Sequence, residues 1–420
     1  MAPEYSEFAL GCGTSTLMRI LIEHGSSQMN NLGDIAMLQV TVERLHALWP
    51  EATLSVISRS EASLAGHIPS TVPMLIDYPS FWTRLRRLGQ PGLALAPQRL
   101  RLRLEAGLSQ ALPAQFKQGL VDAVREADLV VHAGSGVFAD PFLPAAHRRL
   151  DLFKHAIHQG KPTALFSQGI GPLQNGRLRQ AVAETMAKVD LITTRDAHSA
   201  ILLAGLAGDK QGRFLVTGDD ALELAYRTRS GTLATGLGLN LRFAPYSGLS
   251  DGDIPLLEGL LESVLPALDR AEGEVVPLSI HSSDTKATNA WMLSAGLTPP
   301  VRHHDGTVLG LLSAISRCRL VITGSYHGAV LALGQGMPAI CAIKSEYYAR
   351  KFSGLSDAFP IDCHTVDLSD PAQRERLPGL AEALWKQAET RRPHLLRLVE
   401  EKVEESRSAY RHFHQIVVGS

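Results

Sequence analysis

Short apolar segments alternate with helix-length segments along most of this chain, and this alternation constrains its fold more than any other feature. The predicted strands lie at residues 17–22, 53–58, 128–131, 163–166, 191–193 and 214–216 in the first half, and at 236–241, 274–280, 320–323 and 339–343 in the second. Such alternation favours parallel sheets covered by helices on both faces. We therefore expect an α/β fold with doubly wound, Rossmann-like sheets, although no G-x-G-x-x-G fingerprint follows the first strand.

The chain has 420 residues, which is more than one hydrophobic core usually holds. Between Tyr226 and Thr235 the composition changes to small and polar residues, as is typical of a domain boundary. We predict an N-terminal domain over residues 1–228, a C-terminal domain over 229–370 and a helical tail over 371–420 that is interrupted near Pro393. Two facing domains of this kind leave a cleft at the carboxyl ends of their strands.

Composition narrows the classes of protein. The formal net charge of −1 argues against a nucleic-acid partner. The four cysteines form no C-x-x-C pair, which is typical of reduced thiols in a cytoplasmic protein. We find neither a signal-peptide pattern nor an apolar run of membrane-spanning length, so a cytoplasmic location is expected.

Residues 82–104 form an unusual stretch in which six arginines alternate with leucine and tryptophan. A basic amphipathic segment of this kind can lie on anionic lipid, which would bring the protein to the inner face of the membrane. The simpler interpretation is a solvated helix face or a segment packed on the neighbouring domain.

The segment Val321-Ile322-Thr323-Gly324-Ser325-Tyr326-His327-Gly328 is an apolar strand that turns into a helix. The turn places an imidazole, His327, beside a helix N-terminus, where free N–H groups and the helix dipole favour anions. An imidazole there can hold or release a proton next to a bound phosphate. The alternative is a histidine that only packs the turn.

Further loops after strands are rich in glycine and small polar residues. They contain Asn31 and Asp34, then Gly134, Ser135 and Gly136, and then Gly169. Glycines allow a ligand to approach the backbone closely, and each loop precedes a helix that could donate N–H groups to an anion. Each loop taken alone is also explained by turn formation and helix capping.

Charged residues follow other predicted strands. Arg195 suits bidentate binding of phosphate or carboxylate, whereas Asp219 could bind a sugar hydroxyl, act as a base or cap a helix. Arg242 and Lys351 are candidates for the same cleft, although Lys351 could equally be an ordinary surface charge. No histidine or acidic cluster has metal-ligand spacing, so no metal site is predicted.

Together these motifs resemble the polysaccharide pyruvyl transferase family. The matching segments are Asn31-Leu32-Gly33-Asp34, Ala127 to Gly136, Gly169-Ile170-Gly171-Pro172, Thr194-Arg195-Asp196 with Ser199, Asp219-Asp220-Ala221, Gly238 to Arg242, and Gly324-Ser325-Tyr326-His327-Gly328 with Pro338 and Lys351. The resemblance implies a GT-B-like architecture. It also implies transfer of the enolpyruvyl group of phosphoenolpyruvate to two hydroxyls of a saccharide, forming a pyruvate ketal.

The resemblance also implies roles for these residues. His327 would be the general acid, Arg195 would bind the donor's anionic groups, and Asp34 would be a base for a hydroxyl. The remaining donor-binding residues would be Ser325, Tyr326, Gly328, Arg242 and Lys351, and the acceptor-binding residues would be Asn31, Gly134, Ser135, Gly136, Gly169 and Asp219. Phosphoenolpyruvate is then a substrate, no cofactor is needed, and the acceptor could be lipid-linked.

The chain departs from the family pattern at two places. Many members carry Arg-Leu-His where this chain has Ser325-Tyr326-His327, so another cation, Arg242 or Lys351, would replace the missing arginine. Gly134-Ser135-Gly136 also stands where a longer glycine run is usual. Two other functions remain open, a GT-B-type nucleotide-sugar glycosyltransferase and a non-catalytic glycan-binding relative.

Overall fold

The computed structural model describes residues 17–75, 114–208, 213–268 and 274–419. The described part of the chain contains two parallel sheets. The strands of the first sheet are β1 (Arg19–Glu23), β2 (Thr53–Ser58), β3 (Val72–Leu75), β4 (Leu129–His132), β5 (Ser135–Phe138), β6 (Thr163–Ile170), β7 (Leu191–Thr194) and β8 (Phe214–Val216). Their order is β3-β2-β1-β4-β6-β7-β8, with the short β5 paired to β6.

The second sheet has the order β10-β9-β11-β12-β13. Its strands are β9 (Gly236–Asn240), β10 (Val275–Pro277), β11 (Cys318–Thr323), β12 (Ala339–Ile343) and β13 (Cys363–Asp367). All strand pairs in both sheets run parallel, because each strand is followed by a crossover, usually a helix, rather than a hairpin. Carboxyl ends therefore gather at one edge of each sheet.

Helices cover the faces of both sheets. They are α1 (Leu32–Leu48), α2 (Glu61–Ala65), α3 (Ala114–Glu126), α4 (Leu143–His158), α5 (Gly176–Met186), α6 (Ala197–Ala207), α7 (Ala221–Arg227), α8 (Ile254–Ala267), α9 (Asp284–Ser294), α10 (Val308–Ile315), α11 (Tyr326–Gly334), α12 (Glu346–Ala358) and α13 (Pro371–Gly419). Polar side chains cap several of their first turns. Asn31 accepts a hydrogen bond from the Gly33 N–H, and Asp196 accepts one from Ser199.

Four strands differ from the sequence prediction. The Gly134–Gly136 segment was expected to be a loop, but β5 begins at Ser135 and pairs with the extended end of β6. β3 and β13 were not predicted, because β3 contains a proline and β13 alternates with polar residues, as edge strands do. β10 is shorter than the predicted 274–280, because the chain leaves the sheet after Pro277.

The two sheets pack against each other through helices rather than through a bare linker. One continuous apolar cluster includes Ile35 of α1, Leu222 of α7, Leu312 of α10, Leu331 of α11 and Val399 of α13. The strands of the first sheet lie within residues 19–216 and those of the second within 236–367. The exact domain limits proposed from composition stay a prediction.

The C-terminal helix α13 returns from the second half of the chain to the first. It continues through Pro393, contrary to the predicted interruption, because the residues around the proline keep an apolar face buried, including Leu395 and Val399. Near its end Tyr410 stacks on Phe166 of β6 with ring centroids 3.7 Å apart. The helix thereby ties the two halves together.

A buried ionic network secures this contact. Arg44 of α1 lies 3.0 Å from the Asp220 carboxylate and 2.6 Å from that of Glu223. The Tyr410 hydroxyl donates to Asp220 at 2.8 Å, and Ser406 also bonds this carboxylate. Asp220 therefore serves the packing of α13 rather than the edge of the sheet.

The basic stretch at 82–104 lies outside the described residues, so its two interpretations stay open. None of the helices described combines the length and the apolar run that crossing a bilayer requires. Over the same described ranges, no group of three or more histidine, cysteine or acidic side chains is arranged to hold a metal ion.

Candidate active site

A cleft of about 340 Å³ opens where the carboxyl ends of the two sheets face each other. One wall comes from the first half, at Gly136, the Gly169–Pro172 segment and the start of α6. The other wall is α12, which presents Tyr347, Arg350 and Lys351. Arg195 lies between the two walls, because it directly follows β7 at the centre of this edge. Crevices of this kind, at the ends of parallel strands, are where α/β proteins bind ligands.

Arg195 is buried, and its guanidinium is only partly paired. It stacks on the Tyr326 ring at 4.0 Å, and its Nη1 lies 3.5 Å from the Asp219 carboxylate. Its Nε has no hydrogen-bond partner among the described residues. Burial works against the charge, but Tyr326, Asp219 and other neighbouring groups outweigh it and raise the pKa of Arg195. The side chain is a fixed cation with donor capacity left for an anion.

Two glycines leave room for the Arg195 guanidinium at the base of the cleft. A Cβ at Gly169 would overlap the Arg195 guanidinium, and one at Gly136 would lie 3.0 Å from Arg195 Nη2 and 3.4 Å from Lys351 Nζ. Of the glycines proposed for the acceptor, Gly136 therefore lies beside both cations and Gly169 beside Arg195. Gly134 instead lies below the cleft, where a Cβ would overlap Met37 of α1.

Asp219 lies deeper, between Arg195 of the first half of the chain and His327 of the second. Its Oδ2 lies 3.5 Å from Arg195 Nη1 and 3.6 Å from His327 Nε2, while Oδ1 accepts the Ala221 N–H at 3.0 Å. Burial alone would raise the pKa of Asp219, but the neighbouring His327 and Arg195 lower it. The carboxylate is buried, and the acceptor-binding role of Asp219 stays a prediction.

His327 occupies the second position of α11, immediately beneath Arg195 and Asp219. Its imidazole is buried against the backbone of Gly33 in the first turn of α1, where any Cβ would overlap the ring. Nε2 is directed towards Asp219, and the residue is not among those that line the cleft. The role of His327 as general acid to the donor stays a prediction.

We predict that Gly33→Ala displaces the His327 imidazole and lowers turnover by at least about tenfold, because the new methyl group occupies the position of the ring. Steady-state kinetics measure this loss. The matched control is Gly205→Ala in the exposed face of α6, where a Cβ meets nothing within 4 Å. We expect this control to keep full activity and gain about 0.4–1 kcal/mol of stability. Equal activity of the two variants would contradict the prediction.

Lys351 lies on α12, one turn after Tyr347, and its ammonium is surrounded by aromatic rings. Nζ lies 4.9 Å from the centroid of Tyr326, 5.6 Å from that of Tyr347 and 6.0 Å from that of Tyr348. No carboxylate of the described residues forms an ion pair with it. Burial, and then the charges of Arg195 and Arg242, lower the pKa of Lys351 to about 7 against the opposing effect of Asp34 and Asp219.

Arg242 does not contribute directly to the cleft. Its Nη1 lies 3.0 Å from Asp284 Oδ1, and Nη2 donates to the Tyr246 hydroxyl at 2.8 Å. Asp284 also accepts backbone N–H groups of Ile280 and His281. The donor-binding role of Arg242 stays a prediction, and in this arrangement a buried ion pair with Asp284 occupies its side chain.

Three further residues selected from the sequence, Ser325, Gly328 and Asn31, are not among those that line the cleft. Ser325 is the buried N-cap residue of α11, and its carbonyl accepts a hydrogen bond from the Gly328 N–H at 3.0 Å. The Gly328 N–H is therefore not available to bind the donor substrate. Asn31 caps α1, and the neighbouring Leu32 N–H bonds the Ile280 carbonyl at 2.8 Å, which links the two halves. Neither Gly328 nor Asn31 therefore presents a group to the cleft.

Asp34 and Ser135 lie close together near Gly25. A Cβ on Gly25 would lie 3.0 Å from the Asp34 carboxyl carbon and 3.1 Å from Ser135 Cβ. The Ser135 hydroxyl donates to Gln168 at 3.2 Å, so it orients β6 rather than pointing freely into the cleft. Asp34 is half-buried, and its charge acts on both Tyr347 and Lys351.

Several cleft residues were not selected from the sequence, notably Tyr347, Arg350 and His198. Tyr347 precedes Lys351 by four residues, and such pairs share one face of a helix, so this spacing could have identified it. His198 on α6 lies 2.8 Å from Asp357 on α12, across the mouth of the cleft. This contact joins elements of the two halves, which sequence spacing does not predict.

Two facing Rossmann-like sheets, joined by a returning C-terminal helix, define a GT-B-like α/β protein. Solved structures share this fold at low identity. A putative UDP-N-acetylglucosamine 2-epimerase from Listeria monocytogenes aligns with a TM-score of 0.60 and 12% identity over 96% of this chain and 98% of its own. A glycosyltransferase from Rickettsia africae aligns with a TM-score of 0.54 and 10% identity over 96% and 99%.

The UDP complex of S. aureus MnaA aligns similarly, with a TM-score of 0.57 and 12% identity over 96% and 97% of the two chains. At such identities the likeness establishes the fold alone. The sequence profile of the polysaccharide pyruvyl transferase family matches residues 31–343, and the chain belongs to that family. Among curated protein sequences, none is significantly similar to this chain.

Proposed function

We propose that this protein transfers the pyruvyl group of phosphoenolpyruvate to two hydroxyls of a saccharide and forms a pyruvate ketal. The observation that carries the proposal is the pair of cations in the cleft. Arg195 and Lys351 both approach Gly136, and neither is fully neutralised by a carboxylate of the described residues. A small ligand with two anionic groups suits such a site better than a neutral sugar does.

The glycines that line the cleft also favour an anionic ligand. Because Gly136 and Gly169 carry no side chains, a phosphate or a carboxylate can reach Arg195 along the backbone. The paired N–H groups of the Arg195 guanidinium suit bidentate binding of one anionic group of the donor. The Lys351 ammonium provides a single positive charge for the other group. Tyr347 lines the cleft beside Lys351.

The reaction requires one proton on the donor and the loss of two from the acceptor. Protonation of the methylene carbon makes C2 an oxocarbenium, and the first hydroxyl attacks it. Loss of phosphate regenerates a cation, which the second hydroxyl traps. Of the two hydroxyl protons, one balances that placed on the methyl group, and the other leaves with the phosphate. The half-buried Asp34 is proposed as the base for one hydroxyl.

His327 is proposed to support these steps from beneath the cleft. Its contact with Asp219 holds the carboxylate that also pairs with Arg195. A change at His327 therefore alters the donor site through Asp219 and Arg195. We expect His327→Gln to lower kcat/KM by about a hundredfold or more.

The test combines donor binding with phosphate release. We expect phosphoenolpyruvate to raise the melting temperature, because a ligand of the native state stabilises it. We also expect one inorganic phosphate per pyruvyl group transferred when a panel of methyl hexopyranosides is added. A melting temperature raised by UDP-sugars but not by phosphoenolpyruvate would support the glycosyltransferase alternative instead. Acceptor binding without phosphate release would support a glycan-binding protein.

Donor affinity is predicted to weaken as pH rises through about 7. The lowered pKa of Lys351 means that its cation is present below this pH and lost above it. An anionic donor binds the ammonium form, so the dissociation constant rises by up to about tenfold per pH unit until the donor-bound lysine titrates. Isothermal titration calorimetry from about pH 6 to 9 measures this change.

The matched variant is Lys351→Arg, which stays protonated over the same pH range. We expect its donor affinity to lack the alkaline fall. Parallel curves for the wild type and Lys351→Arg would show that another group controls the pH dependence.

A further inference from the structure

The proton that reaches the methylene carbon must come from a group that touches the donor. Most polar side chains at the base of the cleft cannot supply it. Arg195 stays protonated at all ordinary pH values, and burial raises the pKa of Tyr347 far above neutrality. His327 is not among the residues that line the cleft, and its Nε2 lies 3.6 Å from Asp219 Oδ2.

We propose that Lys351 is the catalytic residue that protonates the methylene carbon of the donor. This inference rests on the proposed function, since it names the acid of that reaction. Lys351 lines the cleft and lies beside the same glycine as Arg195. It has no ion-pair partner among the described residues, so no ion pair must break when its proton leaves.

The surroundings of Lys351 favour an amine that releases its proton readily. The charged and titratable groups that face it come from every neighbouring element: Asp34 of α1, Arg195 after β7, Asp219 after β8, Arg242 after β9, Tyr326 of α11, and Tyr347 and Tyr348 of α12. Burial and the two arginines favour the neutral amine, and the two carboxylates oppose them. The balance brings the pKa of Lys351 to about 7, in the range that general acids use.

The proton transfer balances within the site. The N–H bond of the ammonium breaks, and the electron pair of the donor's C2–C3 double bond forms the new C3–H bond. C2 becomes an oxocarbenium, stabilised by its phosphate oxygen. The neutral amine then accepts the proton that the attacking hydroxyl releases, either directly or through Asp34. Lys351 thus returns to its starting state, and the second hydroxyl proton leaves on the phosphate.

Chemical rescue tests the role of this amine. We expect Lys351→Cys to lose about 10²–10⁴-fold in kcat. Alkylation of the new thiol with 2-bromoethylamine restores a lysine-like side chain of lower pKa. We expect it to restore at least about a tenth of wild-type kcat and to move the alkaline limb of kcat to lower pH. The described native cysteines, Cys318, Cys341 and Cys363, are buried, and reagent-treated wild type controls for them.

Lys351→Arg separates acid catalysis from binding. If Lys351 is the acid, this variant binds phosphoenolpyruvate within about tenfold of wild type but loses about a hundredfold or more in kcat. A kcat within about threefold of wild type would overturn the proposal. It would also be overturned if His327→Gln removed the alkaline limb while Lys351→Arg kept it.

A different set of results is expected if the proposed function itself is wrong. In that case wild-type protein would neither bind phosphoenolpyruvate in calorimetry nor release phosphate from it with any methyl hexopyranoside. Donor binding and phosphate release by wild type, together with rescue of Lys351→Cys that leaves the pH limb unchanged, would contradict only the acid assignment.

Discussion

Arg195→Met is expected to lower kcat/KM by about a thousandfold, with most of the loss in the donor's KM. Truncating one partner of a buried, hydrogen-bonded charge pair costs about 2–5 kcal/mol. Arg195, held at the base of the cleft by Asp219 and Tyr326, would be such a partner to an anionic group of the bound donor. Its loss would remove this proposed contact and leave Asp219 with His327 and the Ala221 N–H. Steady-state kinetics with varied phosphoenolpyruvate measure the effect.

Two controls make this result specific. Arg195→Lys keeps the positive charge but lacks the paired N–H groups of the guanidinium, so we expect an intermediate loss of kcat/KM. Arg317→Met removes an exposed arginine that pairs with Glu274 at 2.6 Å, away from the cleft, and should leave kinetics unchanged. If Arg195→Met changed kcat alone and left the donor's KM unaltered, donor binding by Arg195 would be contradicted.

Arg44→Met should reduce the free energy of unfolding by about 3–5 kcal/mol, which is what breaking a buried ion pair typically costs. Arg44 holds Asp220 at 3.0 Å and Glu223 at 2.6 Å beneath the C-terminal helix. Without it the Asp220 carboxylate is buried with only hydroxyl partners, from Ser406 and Tyr410. Urea titration followed by circular dichroism measures the change.

The matched variants separate charge from packing. Tyr410→Phe removes one hydroxyl from the same network and should cost about 1 kcal/mol. Arg317→Met breaks an exposed pair and should cost less than about 1 kcal/mol. Adding Asp220→Asn to Arg44→Met should recover part of the loss, because it removes the stranded charge. A cost for Arg44→Met no larger than that for Arg317→Met would show that the network does not hold α13 in place.

Periodicity and strand ends predicted most of the fold. The strands at 53–58, 214–216 and 339–343 lie where apolar runs placed them, because buried parallel strands are continuous apolar segments. Edge strands such as β3 and β13 escaped prediction, since their residues face solvent and lack that pattern. Pro393 was misjudged because tertiary packing of α13 overrides a local helix breaker.

The candidate site was predictable to a similar extent. Arg195 and Lys351 converge because each lies just beyond the carboxyl end of a strand. The sequence does not show which distant carboxylate pairs with a long basic side chain. The ion pair between Arg242 and Asp284, 42 positions apart, was therefore not predicted. The contact between the His327 ring and Gly33 is equally non-local, because it forms only when α1 packs on α11.

The central claim is that a doubly anionic donor binds between Arg195 and Lys351. A crystal structure of the protein soaked with phosphoenolpyruvate tests it most directly. We predict that one anionic group of the donor lies within hydrogen-bond distance of the Arg195 guanidinium and the other within reach of Lys351 Nζ, beside Gly136. A donor bound elsewhere, or this cleft occupied by a nucleotide sugar while phosphoenolpyruvate fails to bind, would contradict the account.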